Sequence, residues 1–187
     1  FGHKLRPLWS LDPTIHFPHH GSYGATPRNV QLVQSRWRDE LEYEPVRFMG
    51  DVLPEALRVA VTHLAAFVGA SASRLAMVEN ATAGANAVLR SIRWKPGDKV
   101  VIANHAYPAV KNTLRYLAER HGLNVVEAQV PWPLAGRDEL IDAYLQATDG
   151  GARLIILDHI FSPLAVQTPL EAIARACQQR SIQVLGD

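Results

Sequence analysis

From Gly69 onward the chain alternates short, nearly continuous apolar runs with amphipathic stretches, and this alternation limits the folds open to it. The runs are Leu75–Glu79, Val100–Asn104, Val125–Val130, Arg153–Ile160 and Ile182–Asp187. Helical patterns fill the intervals at about 83–93, 108–121, 138–148 and 169–180; in the last, Leu170, Ile173, Ala174 and Cys177 share one side. Strands without polar alternation are buried on both faces, as in a parallel sheet covered by helices. The pattern predicts a three-layer α/β/α domain with a mainly parallel sheet of five strands. Right-handed crossovers then bring the strand ends to one edge, where ligands of such sheets bind.

Before Gly69 the pattern differs. The first 28 residues are rich in His, Pro and Gly and show neither period, so they read as an ordered arm that packs on something else. His16, His19 and His20 lack the spacing of a helical metal pair, and no neighbouring Cys or carboxylate completes a ligand set. A helix is predicted over 29–43, with Val30, Val33, Trp37 and Leu41 in one stripe and Pro45 after it. A second is predicted over 54–67, opened by Pro54 and closed by Gly69, with Leu57, Val61, Leu64 and Val68 on one face. The domain reading is an arm and helix over 1–50 and a larger α/β part over 51–187.

Composition removes several function classes. The 187 residues are 48% hydrophobic and 20% charged, within the range of folded globular proteins. The net charge is +1 and the basic residues are dispersed, which argues against a dedicated nucleic-acid binder. No apolar run is long enough to span a bilayer, and no secretory leader is expected, because Lys4 and Arg6 are followed by no apolar segment. The single Cys177 excludes an internal disulfide and suits a reducing compartment, so a cytoplasmic location is expected.

The clearest local signal is Asn80-Ala81-Thr82-Ala83-Gly84-Ala85-Asn86, placed after one predicted strand and opening a helix. Small residues there allow close approach of a ligand, and free N–H groups with the helix dipole favour an anion such as phosphate. Thr82 can cap the helix and also offer its hydroxyl to a phosphate oxygen. A capped helix without a ligand is the alternative. The motif is neither a Walker loop nor a GxGxxG fingerprint, which weakens a nucleotide-binding reading. Further polar residues fall at other strand ends: Asn104-His105-Ala106-Tyr107-Pro108, Asp158-His159-Ile160-Phe161-Ser162-Pro163, and Asp187. Singly each could be a turn former; together they mark one edge of the predicted sheet.

These residues, with His20-Gly21-Ser22-Tyr23-Gly24-Ala25 and Pro27, resemble the N-terminal part of class V aminotransferase-family proteins, which are fold-type-I pyridoxal 5'-phosphate enzymes. The isopenicillin N epimerase-like branch is the most similar. The resemblance implies that Ala81, Thr82 and Ala83 bind the cofactor phosphate and that Tyr107 stacks on the pyridine ring. It implies that Asp187 pairs with the pyridine nitrogen, and that Asp158 and Ser162 line the ring from a strand-end loop. Where cysteine-desulfurase relatives carry an Asn, this chain has Pro163. His20 and Tyr23 would lie near the substrate or a dimer interface, to which Trp9, Trp37 and Phe48 could also contribute. The expected partners are a small amino-acid substrate and a second copy of the chain, with neither nucleic acid nor membrane.

A Schiff-base lysine lies downstream of the ring-nitrogen Asp in this family, and the sequence ends at that Asp. Lys4, Lys95, Lys99 and Lys111 all lie upstream, so no catalytic residue is assigned. The implied function is the N-terminal part of an enzyme acting on an amino acid through a Cα carbanion, as an epimerase or as a C–S or β-elimination lyase. The alternative is a non-catalytic protein that keeps this fold without the lysine.

Overall fold

The computed structural model describes residues 2–187. The chain forms two compact units, the first running through Met77 and the second Val78–Asp187. This division falls within the segment that the sequence reading assigned to one part (51–187).

The first unit is helical. Short 3-10 turns at Gly2–Lys4 and Arg6–Leu8 lead through an irregular arm to α1 (His20–Tyr23), then α2 (Arg28–Tyr43) and α3 (Pro45–Arg47). A π-helical turn, Phe48–Val52, joins α3 to α4 (Leu53–Val68), and a 3-10 turn follows at Ala72–Arg74. The arm is tied down by polar contacts. Arg28 Nε donates to the carbonyls of Pro7 at 3.2 Å and Trp9 at 3.1 Å, and Trp9 Nε1 donates to Ala25 O at 3.2 Å. Gly69 ends α4 in the left-handed conformation, φ 70°, which glycine adopts without steric cost. Phe48 is buried within this unit, edge-on to Trp37 with ring centroids 6.0 Å apart.

The second unit is the α/β/α domain. Its elements are α5 (Ala81–Ser91), β1 (Lys99–Ala103), α6 (Pro108–His121), β2 (Asn124–Ala128), α7 (Arg137–Ala147), β3 (Leu154–Leu157), α8 (Leu170–Gln179) and β4 (Gln183–Gly186). The strands form one parallel sheet in the order β2-β1-β3-β4, with Val100 opposite both Val125 and Leu154. The steps β1→β2 and β2→β3 run in opposite directions across the sheet, so right-handed crossovers put α6 and α7 on opposite faces. The packing agrees: α5 lies against α6, while α7 and α8 lie against each other. Val100, Val101, Ile102, Leu154, Ile155, Ile156 and Leu157 are buried between these layers, as the unbroken apolar runs require.

One expected strand is absent. Leu75–Glu79 is not part of the sheet, and Met77 and Val78 are half-exposed. Leu75 has extended φ/ψ, but extended backbone becomes a strand only beside a partner's N–H and C=O groups. Neither β2 nor β4, which end the sheet, pairs with this segment. An apolar run specifies burial and extension; it does not specify the neighbour.

Candidate functional site

The helix-opening motif Asn80–Asn86 forms the start of α5. Asn80 is extended (φ −164°, ψ 172°) and its side-chain oxygen accepts from Ala83 N at 2.8 Å. The cap is therefore Asn80, where the sequence reading gave Thr82. The N-cap residue must be extended, and Thr82 already lies in the first helical turn. This leaves the Thr82 hydroxyl and the amides of Ala81 and Thr82 without partners among the described residues, whereas the Ala83 amide is engaged. Residues 92–98 connect α5 to the start of β1, so the C-terminus of α5 lies at the strands' N-terminal edge. Its N-terminus, roughly 16 Å away along the axis, points toward the opposite edge, where the strand ends lie.

That edge contains the topological switch point. The chain leaves β1 to one side to form β2 and returns on the other side to form β3, so a crevice opens between the loops after β1 and β3. Residues from both loops meet there. The backbone N–H of Tyr107, after β1, donates to Asp158 Oδ2, after β3, at 2.8 Å across 51 positions of sequence. Tyr107 is 44% exposed, while Asp158 is buried at 4%. Asp158 Oδ1 is buried with no hydrogen-bond partner among the described residues. Asp187 follows β4 next door. Its N–H donates to Leu157 O at 2.9 Å, and its carbonyl accepts from His159 N at 2.7 Å.

Burial governs the electrostatics of these acids. It pushes Asp158 up to about 6, the nearby negative charge of Asp187 adds to the rise, and the Tyr107 N–H opposes it. Burial also raises Asp187 above the ordinary carboxylate range. Two carboxylates on adjacent strand ends thus each resist ionisation. A cationic group placed against Asp187 would relieve it.

Beside the crevice lies an open cleft of about 600 Å³, lined by Tyr107, Ser162 and Pro163 and by His105, Lys111, Asn112 and Arg115. Ser162 is exposed at its mouth. The floor is fixed by Asn104, whose side chain donates to Val130 O at 3.1 Å and accepts from Val130 N at 3.0 Å. His105 Nε2 lies 2.9 Å from the same carbonyl. Lys111 pairs with Glu127 and also donates to Asn104 O, and Lys99 donates to Asp149 O at 2.7 Å. Sequence reading missed Lys111, Asn112 and Arg115 as cleft residues. Their helical spacing directly after Pro108 was the available signal.

The second unit thus gathers Tyr107, Asp158, Ser162 and Asp187 at one edge and directs the Ala81–Ala83 turn toward it. His20 and Tyr23 belong to the first unit. There His20 Nδ1 accepts from Ala25 N at 3.3 Å and Tyr23 is exposed.

A parallel, doubly wound domain with polar groups at its switch point is the architecture of many small-molecule enzymes. Comparison with known proteins is more specific. The family described as Aminotransferase class-V matches residues 49–187, and the chain belongs to this family. Among curated relatives, a putative L-cysteine desulfhydrase of Oryza sativa subsp. japonica is 31% identical, covering 87% of this chain and 36% of its own length. A probable chloroplastic L-cysteine desulfhydrase of Arabidopsis thaliana is 28% identical, covering 94% and 40%. The isopenicillin N epimerase of Streptomyces clavuligerus is 27% identical, covering 98% and 46%. The chain therefore spans less than half the length of these relatives. Among solved structures, the cysteine desulfurase of Thermococcus onnurineus NA1 superposes with a TM-score of 0.79 at 17% identity, covering all of this chain and 47% of that one. The cystine C-S lyase C-DES superposes at 0.77 with 18% identity over 88% of this chain and 44% of that one, which shows the shared fold. Pyridoxal 5'-phosphate is the cofactor of this family.

Proposed function

We propose that this chain is the cofactor-binding part of a pyridoxal 5'-phosphate enzyme that labilises a bond at Cα of an amino acid, by epimerisation or by C–S or β-elimination. When bound, the cofactor supplies an electron sink for the electron pair left at Cα. The residues present suit it. The Ala81 and Thr82 amides and the Thr82 hydroxyl offer three donors to a phosphate, at the positive end of a helix. The exposed Tyr107 ring offers a flat apolar face. Asp187 offers a carboxylate whose ionisation burial disfavours, and a protonated ring nitrogen would restore it. Ser162 stands at the mouth of the adjoining cleft as a polar contact.

The observation that carries this reading is the meeting of Tyr107, Asp158 and Asp187 at the switch point. The desulfhydrase and epimerase names of the relatives favour a small amino acid as substrate. His20 and Tyr23 are assigned to the substrate side or to the contact with a second copy of the chain. A homodimer in the cytoplasm is the expected setting. No helix is long and apolar enough to cross a membrane among the described residues. Lys99 and Lys111 are held by their own contacts, to Asp149 O and to Glu127.

Both reaction branches begin by removing the Cα proton, so one experiment covers them. The full-length protein loaded with pyridoxal 5'-phosphate, incubated in D2O with L-cysteine and a panel of other L-amino acids, is expected to exchange the Cα hydrogen of at least one of them. Asp187→Ala is expected to slow that exchange by orders of magnitude while the protein stays folded. No exchange by the loaded protein with any amino acid would overturn the reading.

A further inference from the structure

We propose that Asp158 is a positioning residue, which clamps the Tyr107 loop across the switch point so that the Tyr107 ring is held as the platform for the cofactor, and that it makes no cofactor contact of its own. This rests on the functional reading above.

Few contacts hold Tyr107. It is the N-cap residue of α6 and has no side-chain capping bond, and the next residue, Pro108, has no N–H. The loop before it is anchored toward β2: Asn104 exchanges two hydrogen bonds with Val130, and His105 meets the same carbonyl. Ala106 N donates to Ala103 O at 3.1 Å, within the loop. Tyr107 itself is bonded toward β3 through one contact, its N–H to Asp158 Oδ2 at 2.8 Å. Residue 107 is thus fixed between the anchored loop and the start of α6 by a carboxylate supplied from the far side of the crevice.

The second observation is Asp158 itself. A carboxylate at 4% exposure whose Oδ1 has no hydrogen-bond partner among the described residues is a costly arrangement. An apolar residue at the end of β3 would continue the buried run Leu154–Leu157 at less cost. What the carboxylate adds is the clamp. Its depth also separates its role from that of Tyr107, whose ring is exposed.

The test uses Asp158→Leu, which removes the acceptor, and Asp158→Asn, which keeps one, in the full-length protein; Asp158→Ala replaces the Leu variant if that does not fold. The first readout needs no cofactor: amide hydrogen exchange at Tyr107. The Leu or Ala variant is expected to exchange this amide at least about tenfold faster, while Val101, Ile155 and Ile156 keep their protection, and Asn is expected to restore most of it. The second readout is the circular dichroism of added pyridoxal 5'-phosphate, which is expected to weaken in the Leu or Ala variant and to return in Asn. Unchanged Tyr107 exchange overturns the clamp. Faster exchange with an unaltered cofactor spectrum overturns its positioning role. A wild-type protein that gives no cofactor signal overturns the functional reading, and is recognised by that signal alone.

Discussion

At the scale of single residues, Thr82 and Asp158 show how local geometry separates roles that composition leaves merged. Because Asn80 supplies the cap, the Thr82 hydroxyl is free for a ligand. Thr82→Ala should therefore weaken pyridoxal 5'-phosphate affinity about tenfold with little change in helix stability, and Thr82→Ser should restore it; a fluorescence titration measures both. Asp158 leads to a prediction about pH. Its pKa in the folded chain, about 6, lies above the ordinary carboxylate value, so the folded state binds more protons than the unfolded one between about pH 4 and 6. Stability from this group is greatest below that window and is lost as pH rises through it. Denaturant unfolding across pH 4–7 should show that Asp158→Asn removes this contribution, measured as a difference from wild type; parallel pH profiles for the two proteins would contradict it. Asp98, paired with Arg153, is shifted downward and acts in the opposite sense, which is why the difference and not the raw slope is informative. The Thr82 hydroxyl was legible as a phosphate donor, though not that Asn80 takes the cap; the role of Asp158 was not legible. The Tyr107–Asp158 bond joins residues 51 positions apart, and only the sheet order brings them together.

At the scale of elements, helices were legible where period and punctuation agreed. The stretch expected over 108–121 is Pro108–His121, opened by proline and closed by Gly122 at φ 68°. Strands were legible only with a partner. Val100–Asn104 matches β1 (Lys99–Ala103) to within one residue and Arg153–Ile160 contains β3, because each strand lies between two neighbours in the sheet. Leu75–Glu79, equally apolar, has none. The stripe on α2 was also read correctly as a period, yet Val30, Val33 and Trp37 stay partly exposed, since a period does not name what covers it. The start of α5 carries the prediction at this scale. Asn80→Ala should lower stability by about 1 kcal/mol, and Asn80→Asp should keep most of it, both read from denaturant midpoints. A neutral Asn80→Ala would mean that the first turn is held by something other than its cap.

At the scale of the whole chain, the sheet order β2-β1-β3-β4 makes four separated polar signals into one edge. The parallel pairing of the strands followed from the alternation of apolar runs. The order of the strands did not, because runs of Val, Ile and Leu pair with one another without preference. The central claim is that this edge binds pyridoxal 5'-phosphate with its phosphate at the α5 turn and its ring nitrogen at Asp187. The most direct measurement is a titration of the full-length protein with pyridoxal 5'-phosphate and with pyridoxal, each against wild type and Asp187→Ala. Pyridoxal is expected to bind at least about a hundredfold more weakly, as loss of several charge-assisted hydrogen bonds requires, and Asp187→Ala is expected to weaken both. Equal affinity for the two compounds, or indifference to Asp187, would contradict it.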